Sequence, residues 1–344
     1  MKNVLNISLI ALLLVSCTKP SEPPSDLTLG GGVFIINEGQ FTAGNGSLSF
    51  YSYDSMKIYN GVFESTNGRP LGDVPNSIFI HSDNAYLIVN NSGKIEVIDN
   101  STFESKTIIS GLISPRNMAA VDDNKAYLTS MYSDSLVIID LQNNSKLGYI
   151  NLHNSSEAIA VSGNFAYVSS WINGNKILII NTLNDQVVDS VVVGPEPESM
   201  AIDKYGRLWV LCGGGWQREN YAELDVINTA NNQLENEFIF PSLQSYPSCL
   251  KIDDSGQNIF FLDKGVKQMD VSSSALPSTT LIPESGSSFY KIAVNPANND
   301  IFVTDALDYA QNGYVMIYKS DGSFDSKYRA GLIPGSMTFK LTLQ

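Results

Sequence analysis

Short apolar runs, rich in β-branched residues and centred on an aromatic side chain, recur along the whole chain after residue 32. The seven runs are Val33-Phe34-Ile35, Ala85-Tyr86-Leu87, Ala126-Tyr127-Leu128, Ala166-Tyr167-Val168, Leu208-Trp209-Val210, Ile259-Phe260-Phe261 and Ile301-Phe302-Val303. From Tyr86 onward, the central aromatic residues lie 41, 40, 42, 51 and 42 residues apart. Each run is short and stops at Asx-rich turn residues, which predicts strands rather than helices.

Further strand-like segments accompany each aromatic run. One precedes it, beginning after Pro75, Pro115, Pro197 or Pro247 in four of the repeats, and an apolar and a more polar segment follow it. Four short strands in every 40–45 residues or so are typical of a β-propeller blade. We therefore predict an all-β fold, because a β-sandwich would not repeat one aromatic position seven times.

The number of segments predicts how the propeller closes. Seven aromatic strands are present, but only six complete segments precede them, since the chain enters the pattern directly at Val33. The missing first strand is found at the other end of the chain, where residues 334–339 match its pattern. The sequence thus predicts a seven-bladed β-propeller in which the N- and C-terminal strands close one shared blade and leave no free inner edge.

Composition narrows the classes of function. The chain is 43% hydrophobic and 16% charged, with 21 Lys and Arg against 35 Asp and Glu, giving a net charge of −14. Such a chain is a poor partner for phosphate backbones, so we expect no nucleic-acid binding. Only two histidines and three cysteines are present, which disfavours a His-based metal site and a disulfide framework. We assign no catalytic residue, metal site or cofactor, and we expect a protein that is not an enzyme.

The N-terminus predicts export. Residues 1–3 include one lysine, and residues 4–15 are almost wholly apolar, a stretch too short to span a bilayer but typical of a secretory signal. Leu14-Val15-Ser16-Cys17 resembles the lipobox of bacterial lipoproteins, in which cleavage precedes a cysteine that then carries lipid. The alternative is an ordinary signal peptide with a chance cysteine.

The lipobox resemblance sets the predicted domain boundaries. Residues 1–16 form the lipoprotein signal peptide, residues 17–31, rich in Pro, Ser and Gly, form a flexible tether, and residues 32–344 form the propeller. No aspartate follows Cys17, so the resemblance implies the outer membrane, with the protein lipid-anchored and exposed at the cell surface.

The repeats resemble the YVTN-type propeller family. Four segments are more specific: Gly32-Val33-Phe34-Ile35-Ile36-Asn37-Glu38-Gly39, Asn67-Gly68-Arg69-Pro70-Leu71-Gly72-Asp73-Val74, Val89-Asn90-Asn91-Ser92-Gly93-Lys94-Ile95 and Gly111-Leu112-Ile113-Ser114-Pro115-Arg116. They resemble surface lipoprotein propellers of anaerobic Gram-negative bacteria, whose best-understood members capture cobalamin for an outer-membrane TonB-dependent transporter. The resemblance implies a corrinoid ligand and such a transporter as partner.

The long connections of the repeat indicate a binding face. In a blade, the connections after strands 2 and 4 emerge at one end, and these hold the insertions, at residues 39–47, 212–223, 241–247 and 306–313. Insertions concentrated on one face of a repeat protein mark its binding surface. Aromatic and arginine side chains in these connections suit a large ligand that bears amides or hydroxyls. The candidate ligand-binding residues are Phe41, Arg69, Arg116, Tyr132, Trp171, Trp216, Tyr221, Tyr246 and Tyr309.

Several functions remain open at this point. The leading hypothesis is a surface lipoprotein that captures a corrinoid or another small molecule. A glycan- or peptide-binding propeller and a surface-layer or adhesion protein are alternatives, and a propeller lactonase or lyase is a further one. Cys212 and Cys249 lie in neighbouring repeats and are either bonded to each other or two buried thiols.

Overall fold

The computed structural model describes residues 29–341, and Cys17 with its predicted signal peptide lies outside this range. The fold is built almost entirely of short antiparallel strands. In chain order the elements are β1 (Gly32–Asn37), β2 (Ser47–Ser52), β3 (Lys57–Asn60), α1 (Val62–Asn67), β4 (Pro75–His81), β5 (Asn84–Val89), β6 (Lys94–Asp99), β7 (Ser105–Ser110), β8 (Pro115–Ala120), β9 (Lys125–Ser130), β10 (Ser135–Asp140), β11 (Ser145–Asn151), β12 (Ser156–Ser162), β13 (Phe165–Ser170), β14 (Lys176–Asn181), β15 (Gln186–Val192), β16 (Pro197–Ile202), β17 (Arg207–Cys212), β18 (Glu223–Asn228), β19 (Gln233–Ile239), β20 (Ser248–Ile252), β21 (Asn258–Leu262), β22 (Gly265–Asp270), β23 (Ile282–Pro283), β24 (Phe289–Val294), β25 (Ile301–Asp305), β26 (Asn312–Tyr318), β27 (Phe324–Leu332) and β28 (Pro334–Lys340).

The strands form seven four-stranded sheets, and each sheet is one blade. Six blades are simple meanders of four consecutive strands, beginning with β4-β5-β6-β7 and ending with β24-β25-β26-β27. The remaining blade has the order β28-β1-β2-β3, so its innermost strand comes from the far end of the chain. Gly32 lies opposite Lys340 and Val33 opposite Phe339 in this antiparallel pair. The predicted seven-bladed propeller and its shared closing blade are confirmed.

The first strands of neighbouring blades contact one another all the way round, so they enclose a central channel. The apolar core is divided among the spaces between blades. The repeated aromatic residue of each second strand is buried there, including Trp209, which is only 1% exposed. Its indole N–H donates a 2.9 Å hydrogen bond to Asp203, which satisfies the one polar atom that the ring carries into the core.

One short helix departs from the predicted all-strand pattern. α1 follows β3 between Gly61 and Gly68, both of which adopt left-handed φ angles of 66°. Val62 and Phe63 are buried and pack in the core between the first two blades. Among residues 29–341, no helix is long and apolar enough to cross a membrane. Leu29, at the end of the predicted tether, packs against the same core, and its N–H bonds to the carbonyl of Ser101.

Every innermost strand carries a β-bulge close to its first residue. A bulge re-aims side chains and frees a backbone N–H from the ladder. Buried hydroxyl groups on the second strands accept several of these N–H groups. Thr129 accepts from Asn117 at 2.9 Å, and Thr304 accepts from Lys291 at 2.9 Å. The bulges are thus a built-in feature of the repeat, and they lie where the channel opens.

Candidate functional site

The long connections lie on one face of the propeller, as the repeat pattern predicts. We call this the long-loop face; it is the end at which the connections after the second and fourth strands of each blade emerge. The connections at residues 38–46, 213–222, 240–247 and 306–311 all belong to it. The opposite, short-turn face is formed mainly by tight turns. In one of them, the Asp253 carboxylate accepts hydrogen bonds from the N–H groups of Gln257 and Asn258, so it caps the turn.

Six of the predicted ligand-binding side chains are exposed on the long-loop face. Their exposed fractions are 71% for Phe41, 70% for Tyr132, 79% for Trp216, 47% for Tyr221, 46% for Tyr246 and 46% for Tyr309. Trp171 is half-buried at the start of its loop. Exposed aromatic side chains concentrated on one face of a protein are candidates for an interaction site.

The connection that carries Trp216 and Tyr221 is held in a tight conformation. Gly214 and Gly215 adopt φ angles of 81° and 101°, which side-chain-bearing residues rarely adopt. A Cβ atom at Gly214 would lie 2.5 Å from the carbonyl oxygen of Asn220, so the two ends of the loop touch closely there. The loop therefore presents its aromatic side chains from a fixed backbone.

Arg69 lies in the connection between α1 and β4, as predicted, and its side chain is 36% exposed. Its guanidinium forms two hydrogen bonds with the buried carboxylate of Glu96, at 2.6 Å and 3.1 Å, and a third with Ser105 at 3.0 Å. Glu96 also accepts from Lys94 at 2.9 Å. Arg69 thus neutralises a buried acid between two blades.

Arg116 was predicted in a connection after a fourth strand, and the structure corrects this position. It is the second residue of β8 and points into the channel, where its side chain is only 18% exposed. The guanidinium is held by both carboxylate oxygens of Glu157, at 2.7 Å and 2.8 Å. Such a two-point contact fixes the plane of the guanidinium. The bulge in β8 between Pro115 and Met118 turns the Arg116 side chain toward the channel, although Arg116 lies close to the preceding loop.

Arg116 belongs to a set that the fold generates by repetition. The second residue of each innermost strand lies at the same height beneath the long-loop face, and we call these seven positions the inner ring. The inner ring comprises Asn76, Arg116, Glu157, Glu198, Cys249, Tyr290 and Gly335. Five of its members, all but Tyr290 and Gly335, line a cavity of about 160 Å³ inside the channel, together with Lys251 and Lys291.

Glu38 fills the place in the inner ring where Gly335 has no side chain. A Cβ atom at Gly335 would lie 2.8 Å from one oxygen of the Glu38 carboxyl group. The other oxygen accepts a 3.0 Å hydrogen bond from the hydroxyl of Tyr290. Burial raises the pKa of Glu38, although Lys291, Tyr290 and Arg116 oppose the shift. The Tyr290 ring packs edge-on against Tyr309, so this carboxyl group is connected to the exposed aromatic surface.

Lys291 and Glu198 place opposite charges elsewhere in the cavity. Burial opposes the positive charge of Lys291, but the surrounding acidic groups, Tyr290, Cys249, Glu198 and Glu38, outweigh it and raise the pKa of the ammonium group. Within residues 29–341, no carboxylate oxygen lies within salt-bridge distance of Lys291. The Glu198 carboxylate accepts from the N–H of Cys249 at 2.5 Å and from the Ser199 hydroxyl at 2.6 Å. The cavity therefore offers donors and acceptors of both charges.

A second, wider cavity opens toward the short-turn face. Its volume is about 660 Å³, and its lining includes Asp253, Lys251 and Phe339. The six exposed aromatic side chains described above lie on the opposite, long-loop face, and the short-turn face exposes Tyr205 and Phe324. Size alone would favour the wider cavity, but the long-loop end combines six exposed aromatic side chains with the charged groups of the inner ring.

The sequence analysis missed Glu38, Glu157, Glu198, Tyr290 and Lys291. The signal was present, because two polar residues in succession interrupt the alternation of apolar and polar positions at the start of several first strands, as in Arg116-Asn117 after Pro115.

The two cysteines of the propeller are free thiols and not a disulfide, since Cys212 and Cys249 are both buried and unbonded to each other. Burial raises the pKa of Cys212 well above its ordinary value.

The profile of a family described as "Domain of unknown function (DUF5074)" matches residues 31–327 of the chain. Among solved structures, a quinonprotein alcohol dehydrogenase-like protein from Bacteroides thetaiotaomicron is similar over 90% of this chain and 78% of its own, with 15% identity and a TM-score of 0.71. Apo AztD from Citrobacter koseri is similar over 90% of this chain and 98% of its own, with 10% identity and a TM-score of 0.57. Hydrazine synthase of Kuenenia stuttgartiensis is similar over 72% and 77%, with 15% identity and a TM-score of 0.57. At these identities the likenesses support the fold alone, and no curated protein matches the chain.

Proposed function

The chain belongs to the DUF5074 family, whose function is unknown, and from its own geometry we propose that the propeller captures a ligand on the long-loop face. One observation carries the proposal: six exposed aromatic side chains lie on the long-loop face, beneath which the inner ring lies. Aromatic side chains contribute large contact area with few rotatable bonds, and fixed polar groups then orient what they hold.

The two parts of the site suit a ligand with an apolar body and polar arms. The aromatic surface is broad, whereas the cavity inside the inner ring measures only about 160 Å³. Pockets that enclose a whole drug-sized molecule measure roughly 300–1,000 Å³. A captured ligand would therefore lie across the long-loop face and insert one polar arm between charged groups such as Arg116 and Glu198.

A corrinoid is the ligand we propose first, since it bears amide arms around a large flat body and is also what the resemblance of the repeats implies. On this proposal the protein is a lipid-anchored outer-membrane capture protein that hands the corrinoid to a TonB-dependent transporter. Glycan or peptide capture by the same face is the second candidate, favoured by the many Asn, Ser and Gly residues in its loops.

Titration of the purified protein with cyanocobalamin, followed by calorimetry, tests the ligand. Saturable binding with one site per chain would support the corrinoid proposal. If cyanocobalamin gives no heat while a glycan or peptide binds, capture by this face stands and the corrinoid is withdrawn. If substrate turnover is detected instead, the assignment as a capture protein fails.

Truncation of the loop aromatics tests the face itself. We expect Trp216→Ala and Tyr221→Ala each to weaken ligand binding by about 2–4 kcal/mol, the usual effect of removing an aromatic anchor. Both side chains are exposed in a loop of fixed backbone, so the melting temperature should change little. Dissociation constants measured by calorimetry, with a thermal melt of each variant, check this expectation.

Tyr205→Ala is the matched control for the aromatic variants. Tyr205 is 63% exposed but lies on the short-turn face, where it stacks beneath Lys204 and Arg207. Its removal should leave affinity unchanged. Weakened binding in this variant, with wild-type binding in both loop variants, would move the site to the wider cavity at the opposite end of the channel.

The anchor is tested separately from the ligand. We expect Cys17→Ser to release the protein from the membrane fraction without changing its fold, because stable anchoring of a lipoprotein depends on the acyl chains attached at that cysteine. Membrane fractionation and a thermal melt of the released protein measure the two outcomes. Retention of the unlipidated variant in the membrane fraction would show that another attachment holds it.

A further inference from the structure

Three carboxylates converge at the interface between the fourth and fifth blades. Asp225 lies on β18 directly opposite Glu237 on β19, and Glu223 lies two residues before Asp225 on the same side of the sheet. One carboxylate oxygen from each residue lies within 4.8 Å of the others. Asp225 is fully buried, Glu223 is partly buried and Glu237 is exposed, so the group extends from solvent into the interior.

One oxygen of the innermost carboxylate has no partner. The Oδ2 atom of Asp225 accepts a 2.8 Å hydrogen bond from the N–H of Gly194 and lies 3.8 Å from the thiol of Cys212. Its Oδ1 atom is buried and accepts no hydrogen bond among the described residues. A buried carboxylate oxygen without a donor is costly, and proteins usually place a cation or a donor beside it.

Another blade has a buried carboxylate at the equivalent position, so the two sites can be compared. Glu96 on β6 occupies in the second blade the place that Asp225 occupies in the fifth, because each lies opposite the residue that follows the repeated aromatic, Tyr86 or Trp209. Both carboxylates are fully buried. The two sites therefore differ in their surroundings and not in their position in the fold.

The surroundings of the two carboxylates have opposite charge. Glu96 forms salt bridges with Arg69 and with Lys94, which stands two residues before it. In the fifth blade the residue two before the carboxylate is Glu223, and the cross-strand neighbour is Glu237. Within residues 29–341, none of the three acids forms a salt bridge with Lys or Arg. The fifth blade thus repeats a buried carboxylate but replaces its cationic partner with further acids.

We propose that Glu223, Asp225 and Glu237 bind a divalent cation of the hard, oxygen-preferring class such as Ca²⁺, which supplies the positive charge that Arg69 and Lys94 supply to Glu96. Carboxylate oxygens are the ligands such cations take, with water completing the coordination on the exposed side. Burial, together with repulsion from Glu223 and Glu237, raises the pKa of Asp225 to about 7, and a bound cation would lower it.

The site lies at the base of the loop that carries Trp216. Cys212 ends the strand that enters this loop, and Glu223 begins the strand that leaves it, directly opposite Cys212 in the ladder. A cation held by Glu223 would therefore fix the base of the loop. Its binding is measured with no other ligand present, so the result does not depend on what the long-loop face captures.

The test uses the whole purified chain after treatment with a chelator. We expect Ca²⁺ to bind with one site per chain in calorimetry and to raise the melting temperature by roughly 5 °C at about a hundred times its dissociation constant. Asp225→Asn and Glu237→Gln should each weaken Ca²⁺ binding at least about tenfold, since ligand charge sets the affinity of such sites. Glu237 is exposed, so its variant should fold even if the Asp225 variant does not.

Glu104→Gln is the matched control, because Glu104 is exposed in the second blade and its loss changes the net charge by the same amount. This variant should bind Ca²⁺ like the wild type. Absence of any Ca²⁺ effect on the wild-type protein, or undiminished binding in Asp225→Asn and Glu237→Gln, would overturn the proposal. Zn²⁺ binding that is lost in Cys212→Ser, with no effect of Ca²⁺, would overturn the assignment to a hard cation.

Discussion

Deletion of residues 334–344 is expected to abolish cooperative unfolding of the propeller or to remove most of its net stability. The deletion takes away β28, which supplies the inner strand of the first blade. It also removes Met337 and Phe339, which pack in the core between this blade and the last one. Loss of one buried methionine side chain alone costs about 2–5 kcal/mol, against a typical net stability of about 5–15 kcal/mol.

Circular dichroism during thermal unfolding measures this effect. Deletion of residues 341–344 only, which leaves β28 intact, is the matched control and should melt like the full chain. A synthetic peptide of residues 334–344, added to the shortened chain, should restore part of the lost melting temperature, because the free edge of β1 remains available to it. A shortened chain that melts like the wild type would show that closure contributes little to stability.

Arg116→Ala is expected to destabilise the protein by about 3 kcal/mol. Arg116 and Glu157 form a two-point ion pair in the channel wall, with side chains only 18% and 10% exposed. Removal of one partner leaves the other charge buried and uncompensated, and breaking such pairs typically costs about 3–5 kcal/mol. We place the value at the low end because both side chains retain some contact with solvent. Unfolding in guanidinium chloride measures the change.

A double variant separates the structural role of Arg116 from a role in ligand binding. Arg116→Met with Glu157→Met removes both charges, and we expect it to recover much of the stability lost in the single variant. Arg218→Ala is the control for stability, since Arg218 is exposed on the long-loop face, where it stacks over Tyr246 and donates to the side-chain oxygen of Gln244 at 3.4 Å. A single Arg116 variant with wild-type stability but lost ligand affinity would show that Arg116 serves ligand binding rather than the stability of the fold.

The architecture could be predicted from the sequence because it is periodic. Every blade repeats one buried aromatic residue, and the register between strands follows from alternation of apolar and polar positions. Closure of the ring was predictable for the same reason, since the first blade lacks a first strand at the N-terminus and residues 334–339 match the pattern of that strand. The face of the long loops follows directly from strand order, and the exposure of Trp216 and Tyr221 agrees with it.

The interior of the channel could not be predicted because it depends on departures from periodicity. A bulge inserts one residue and turns neighbouring side chains, so Arg116 faces the channel although it directly follows a loop. The partner of Arg69 is Glu96, which lies 27 residues away on β6, and no local pattern connects the two. α1 was missed because a six-residue helix between two glycines carries too little periodicity to be recognised.

The pairing of β1 with β28 also dictates an order of events during synthesis. β1 leaves the ribosome about 300 residues before its inner partner, and contacts of such separation form late and slowly. Until β28 arrives, the apolar edge of the first blade has no strand beside it and is open to pairing with another chain. A cell that makes this protein must therefore keep the incomplete chain from aggregating until β28 has been synthesised. Slower synthesis of the C-terminal residues would lengthen the time during which the edge of β1 is exposed.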